Sequence, residues 1–271
     1  MKISVISRID DPKALRYAEE LVRALGSQGI RAGFDPDTAE ALPEGKVPLL
    51  EPDEADVVAV IGGDGTILRT IQRLKPQVPL VGINWGEVGF LADLEQDTAF
   101  TFLSGLTTKP PVESRMRLEF CLEGESLGQC LNEAVIVTSR PAKMLRFAIS
   151  IDGALTERFR ADGLIMSTPT GSTAYAMSAG GPIVDPKIEG FLLVPLAPYL
   201  LSSRPHFISS ERKLEIGLES AKPAHLVLDG QESIDLGSAC TLQVRRSSRP
   251  ALLVDVGSNF FGKVEKKLRK L

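Results

Sequence analysis

The densest concentration of chemically useful residues is Gly62-Gly63-Asp64-Gly65-Thr66. It follows the apolar run Val57 to Ile61 and precedes Ile67, Ile71 and Leu74 at helical spacing. In an open α/β sheet this is where a strand ends and a helix begins. Unpaired N–H groups and the positive end of the helix dipole suit phosphate there. Glycines without Cβ let a phosphate or a ribose come close to the backbone. A carboxylate among them repels phosphate unless a metal or a transferable proton intervenes, so Asp64 is a candidate general base for a hydroxyl. The same residues also read as a Gly-rich turn with Asp64 as the helix N-cap. No Gly-Lys-Ser/Thr follows, which excludes a Walker A loop.

Three further stretches could bind a polar ligand. Thr168 to Pro182 is 15 residues with no charge and six hydroxyls. It could present hydroxyls and main-chain groups to a ribose or a base edge, with Tyr175 against a ring, or form a hydroxyl-rich turn before a short helix. Asn132-Glu133 interrupts an apolar strand. A carboxylate is costly to bury there unless it is paired, and ribose hydroxyls are good donors to it; an edge-strand salt bridge is the other reading. Asp162-Gly163 carries a last carboxylate, with Arg160 two residues before it. Arg69, Lys143 and Arg146 are cations able to meet phosphates. His206 and His225 have no metal-like spacing, so a histidine base is not expected.

These residues need elements to hold them. With 271 residues the chain has room for one large or two modest domains and a core that requires no staple. Ile3 to Ile6 reads as a strand, Asp11-Pro12 as a helix start, and Leu15, Ala18, Leu21, Val22 and Leu25 as its buried face. Val57 to Ile61 is a β-branched run suited to a strand buried on both faces, and Val78 to Ile83 returns as another. Strand, helix, strand in this order gives right-handed crossovers and an open parallel sheet. From about residue 101 short strands alternate with Glu123-Gly124, Asp152-Gly153 and Asp229-Gly230, the signature of hairpins in a mostly β domain. Lys109-Pro110-Pro111 is a plausible linker. Val264, Leu268 and Leu271 form one stripe of a basic C-terminal helix, read as docked rather than as a nucleic-acid tail.

Composition narrows the function classes. Lys plus Arg number 31 against 35 Asp plus Glu, a formal charge of −4, which argues against a general binder of nucleic acid or anionic membrane. Cys121, Cys130 and Cys240 cannot all pair and lack CxxC spacing. The first residues are too short in their apolar part for a signal peptide, and the long uncharged stretches are broken by Pro, Gly, Ser and Thr. A cytoplasmic protein is expected.

Taken together, Gly62 to Thr66, Gly82-Ile83-Asn84 with Gly86, Gly89, Phe90 and Leu91, Asn132-Glu133, Asp162-Gly163, Thr168 to Pro182 and Arg204-Pro205 resemble the NAD kinase family of archaeal and bacterial type. The resemblance spans most of the chain. It implies transfer of a phosphoryl group from Mg-ATP, or from another donor such as polyphosphate, to the 2′-hydroxyl of the adenosine ribose of NAD. It implies an α/β domain over residues 1–100, a β-rich NAD-binding domain over 101–250, and a segment 251–271 packing back on the first domain. By position, Asp64 resembles the family's proton acceptor, with Gly65 in the same loop. Asn132 and Glu133 resemble the pair that holds the riboses, and Asp162 the carboxylate near the nicotinamide. Thr173, Ala174, Tyr175, Ala176, Met177 and Ser178 resemble the segment lining the dinucleotide site. Arg69, Lys143, Arg160 and Gln231 fall where further nucleotide contacts occur. Tyr199 stands where the family commonly has histidine. Arg160 stands where members accepting polyphosphate tend to have a small residue, which leans toward ATP. Mg²⁺ would come with the donor's phosphates, and a homodimer or homotetramer is expected. The alternatives are a lipid or sugar kinase sharing the GGDGT loop and a non-catalytic dinucleotide-binding sensor.

Overall fold

The computed structural model describes residues 1–42, 47–86, 89–140, 143–200, 202–220 and 222–268. The first unit begins with strands β1 (Lys2–Ser7), β2 (Arg31–Phe34), β3 (Val57–Gly62), β4 (Leu80–Asn84), β5 (Ala92–Leu94) and β6 (Val112–Arg115), with helices α1 (Pro12–Ser27), α2 (Pro36–Ala41), α3 (Asp64–Arg73) and α4 (Gln96–Ser104). Asp11 caps α1 by accepting from the Lys13 amide, and Pro12 occupies the first turn, where a missing N–H costs nothing. Ala14, Leu15, Ala18, Leu21, Val22 and Leu25 are its buried face. β3 is buried along its whole length because helices cover both sides of the sheet.

The second unit holds β7 (Leu118–Leu122), β8 (Glu125–Cys130), β9 (Glu133–Thr138), β10 (Leu145–Ile151), β11 (Ala154–Ala161), β12 (Gly163–Ser167), β13 (Gly190–Leu196), β14 (His206–Ser209), β15 (Leu214–Leu218), β16 (Ala224–Leu228), β17 (Glu232–Gly237) and β18 (Cys240–Arg246), with the short helix α5 (Tyr175–Ser178). β19 (Ala251–Val254) and α6 (Phe260–Leu268) then join the first unit, which comprises Met1–Ser114 and Ala251–Leu271. The change expected near residue 101 thus falls after Ser114, past the Lys109-Pro110-Pro111 stretch. The reason is α4, whose Ala99 and Leu103 are buried in the same core as α1. In α6 Val264 is buried; Leu268's side chain and Leu271 lie outside the described residues.

The first sheet runs β2-β1-β3-β4-β19-β6, with β5 also on β4, and its pairs β1–β2, β1–β3, β3–β4, β4–β5 and β4–β19 are parallel. The second unit is a sandwich of two antiparallel sheets, β11-β10-β15-β18-β7-β8 and β14-β13-β12-β9-β16-β17. Phe120, Phe147, Met166, Phe191, Leu226 and Leu242 fill the space between them. The outer face of the second sheet is covered as well: Val135, Ile165, Leu192 and Val194 pack with Ala176 and Val184 of the hydroxyl-rich segment. Burial on both faces explains why these strands read as unbroken apolar runs rather than alternating ones. All three hairpin dipeptides have positive φ at both residues; Glu123-Gly124 and Asp152-Gly153 form two-residue connections of the type I′ kind, whereas three residues, Asp229 to Gln231, join β16 to β17. Among the described residues, no helix is long and apolar enough to cross a membrane.

Candidate active site

In the first unit the chemistry gathers where β3 passes into α3. Gly63 is the N-cap and supplies no side-chain cap, so Asp64 is the first helical residue rather than the cap that one reading of the sequence offered. Its carboxylate points across to the loop after β4. Oδ2 accepts from the Phe90 amide at 2.7 Å and Oδ1 from the Leu91 amide at 3.0 Å. Gly89 permits this approach, because a Cβ there would stand 2.0 Å from Asp64 Oδ1. Gly63 and Gly65 face open space, with no atom within 4 Å of where a Cβ would be. Both line a cavity of about 620 Å³ that also carries Arg8, Arg69 and Arg73. Asp35, Asp37 and Asp53 line it as well. Arg8 is bonded to Asp10 and Arg73 to Asp37, in exposed pairs that contribute little and from which a phosphate can draw the guanidinium.

In the second unit Asn132 and Glu133 stand at the start of β9. Glu133 is 9% exposed, and its Oε2 is fully buried with no hydrogen-bond partner. Burial, and then the charge of Asp229, raise its pKa from 4.5 to about 7; the Tyr175 amide acts the other way by bonding the carboxylate. A buried acceptor without a partner is an uncommon feature that a ligand donor would satisfy. Among the described residues no Lys or Arg pairs with it, so the edge salt bridge considered from the sequence is not formed there.

Comparisons with known proteins decide the family. The ATP-NAD kinase N-terminal domain matches residues 3–110 and the ATP-NAD kinase C-terminal domain residues 131–256. A Methanoregula boonei NAD kinase is 60% identical and a Methanoculleus marisnigri NAD kinase 58% identical, each over all of both chains. The chain belongs to the ATP-NAD kinase family. Among solved structures, an NAD kinase from Archaeoglobus fulgidus in complex with ATP is 32% identical, with a TM-score of 0.81, covering 98% of this chain and 99% of that one. A yeast NADH kinase complexed with NADH, 24% identical, shares the fold with a TM-score of 0.87 over 99% of this chain and 87% of that one.

Within this ATP-NAD kinase fold the sequence-derived candidates form three groups. Asp64, Gly65 and Arg69 lie together at α3. Asn132, Glu133 and the 173–178 segment meet where β9 begins and β12 ends, since Glu133 pairs with Ser167 and the Tyr175 amide reaches Glu133. Gln231 follows the turn after β16, whose Asp229 amide donates to the Glu133 carbonyl. Asp162 precedes the other end of β12, five residues and roughly 17 Å along the strand from Ser167. Arg160 and Lys143 share that corner, because Leu145 pairs with Ala161. Tyr199 stands there too, with the Arg160 guanidinium 4.1 Å from its ring centre. The hydroxyls divide in a way the sequence did not reveal. Thr168 donates to the Leu131 carbonyl, Ser172 to Val184 and Thr173 to Thr170, all inside the protein. Tyr175 and Ser178 are the exposed ones. Sequence reading also missed Arg8, Arg73 and the part played by Asp229, whose only local signal was a turn; it named Phe90 and Leu91 within the resemblance but not what their amides hold.

Proposed function

We propose that this protein is an NAD kinase that transfers the terminal phosphoryl group of Mg-ATP to the 2′-hydroxyl of the adenosine ribose of NAD, giving NADP. The observation that carries this reading is the Asp64 carboxylate. It is oriented by two amides and stands between Gly63 and Gly65, which line the cavity that carries the arginines, and each of its oxygens keeps a lone pair for a substrate hydroxyl. Asp64 accepts the hydroxyl proton as the ribose oxygen attacks phosphorus. Asn132 and Glu133 hold the ribose hydroxyls, with Gln231 alongside. Thr173, Ala174, Tyr175, Ala176, Met177 and Ser178 line the dinucleotide site. Asp162, with Lys143 and Arg160, serves the far end. Arg69, with Arg8 and Arg73, meets the donor's phosphates. Phosphoryl transfer needs positioning and charge neutralisation more than covalent help, and these side chains supply both.

The cavity also supports a nucleotide as donor. Asp35, Asp37 and Asp53 sit opposite the phosphate-binding machinery in sign; they can accept from ribose or amino groups but would repel a continuous phosphate chain. Among the described residues no three His, Cys, Asp or Glu side chains are grouped to hold a metal, so Mg²⁺ is assigned to the donor's phosphates, where it neutralises charge. The three cysteines are free, which suits a reducing cytoplasm. The test is incubation with NAD, Mg²⁺ and either ATP or polyphosphate, scoring NADP. NAD binding without NADP from either donor would indicate a sensor, and phosphorylation of a lipid or sugar in preference to NAD would reject the reading.

A further inference from the structure

Asp229 sits in the turn between β16 and β17 with φ at +46° and is 5% exposed. A hairpin turn does not require a buried carboxylate. In the turn after β10 the Asp152 carboxylate lies at the surface, bonded to Arg212 and the Lys213 amide. Asp229 instead reaches across the sheet to a segment nearly a hundred residues earlier. Its Oδ2 accepts from the Leu131 amide at 2.8 Å, and its Oδ1 from the Asn132 and Glu133 amides at 2.7 and 3.2 Å. From the other side, Ser167 and Thr168 hydroxyls hold the Asn132 and Leu131 carbonyls at 3.0 and 2.5 Å. The strand end that presents Asn132 and Glu133 is gripped through both its donors and its acceptors.

We propose that Asp229 is a positioning residue for Glu133: by binding three successive amides it fixes where the Asn132 and Glu133 side chains project, and it places a negative charge against the Glu133 carboxyl. The inference rests on the reading that Glu133 receives the ribose hydroxyls of NAD. The groups bearing on Glu133 come from several elements. Asp229 lies at the end of β16. The Arg117 guanidinium, 3% exposed ahead of β7, is attracted by Asp229. The Cys130 thiol at the end of β8 is pushed well above its usual value by burial and stays neutral. The Tyr175 amide at α5 donates to the carboxylate. Burial and Asp229 together keep Glu133 half-ionised near neutrality, so NAD is held more tightly as pH rises and the carboxylate becomes the stronger acceptor. Removing the Asp229 charge eases ionisation of Glu133 and moves that dependence to lower pH. A merely architectural residue would weaken binding without moving it.

The experiment is calorimetric NAD binding without donor, from about pH 5.5 to about pH 9, on full-length wild type, Asp229→Asn, Asp229→Glu and Glu133→Gln, with kcat measured alongside. Wild-type affinity should rise through an inflection near neutrality that Glu133→Gln lacks. Asp229→Asn should bind NAD about tenfold more weakly, the scale of one lost bond to a charged group. Its inflection should move down, with kcat at saturating NAD within about threefold of wild type. Asp229→Glu keeps the charge and should weaken binding with the inflection in place. An unmoved inflection in Asp229→Asn overturns the proposal. If that variant does not fold, a downward shift in Asp229→Glu overturns it equally. Wild type that binds no NAD at any pH rejects the functional reading instead.

Discussion

Glu133→Gln removes one titrating group from the interior and keeps its shape. Because burial, and secondly the charge of Asp229, hold the Glu133 pKa at about 7 against 4.5, the folded chain binds this proton more tightly than the unfolded chain does. Below about pH 4.5 both states are protonated and the group costs nothing. Between about 4.5 and 7 the unfolded state gains by ionising, so wild-type stability falls. Above about 7 the full difference persists, at about 1.4 kcal/mol per pKa unit about 3.5 kcal/mol in all. Glutamine introduces a buried amide with unmet groups of its own, at a cost of about 1–3 kcal/mol, but that cost does not vary with pH. The diagnostic is therefore the slope. Relative to wild type, Glu133→Gln should gain about 2.5 kcal/mol between about pH 5 and about pH 8.5, and it should lose NAD affinity throughout. Urea denaturation followed by far-UV circular dichroism across that range measures it. A stability difference flat with pH would refute an ionisation coupled to burial at this position.

Asp64→Asn should retain NAD binding by calorimetry and lower turnover at least about 10²-fold, and near-normal turnover would reject the base assignment. Gly89→Ala should act at a distance on the same group, because its new methyl would collide with the Asp64 carboxylate. We expect a folded protein by circular dichroism whose turnover falls about as far as that of Asp64→Asn; unchanged turnover would show that the carboxylate tolerates being moved. Arg69→Ala should raise the KM for ATP about tenfold or more at saturating NAD while leaving the NAD dissociation constant within about twofold, since a phosphate–guanidinium contact is a charged hydrogen bond worth about 1.5–3 kcal/mol. A change confined to NAD affinity would instead put Arg69 on the acceptor side.

Much of the scaffold was legible from residue patterns because the signals are local. The cap at Asp11-Pro12, the buried stripe of α1, the β-branched run of β3 and the paired turn residues Glu123-Gly124, Asp152-Gly153 and Asp229-Gly230 each act through neighbours in the chain. The position of the Gly62 to Thr66 loop at a strand's carboxyl end followed from the same period changes. The end of the first unit was misjudged because α4 is assigned by where Ala99 and Leu103 are buried, and burial partners are not written in a periodicity.

Sequence alone determined which chemical groups are available: a carboxylate between glycines at a helix start, an Asn-Glu pair read as interrupting an apolar strand, which the structure puts at the start of β9, and an uncharged hydroxyl-rich segment. Only the tertiary structure decided what those groups are free to do. It turned Asp64 toward the Phe90 and Leu91 amides, consumed the Thr168, Ser172 and Thr173 hydroxyls inside the protein, left one oxygen of Glu133 without a partner, and carried Asp229 from a hairpin turn to the amides of residues 131–133. Hydrogen bonding and desolvation are settled by which atoms come within about 3 Å of one another, and folding brings those atoms together from positions that are nearly a hundred residues apart in the chain.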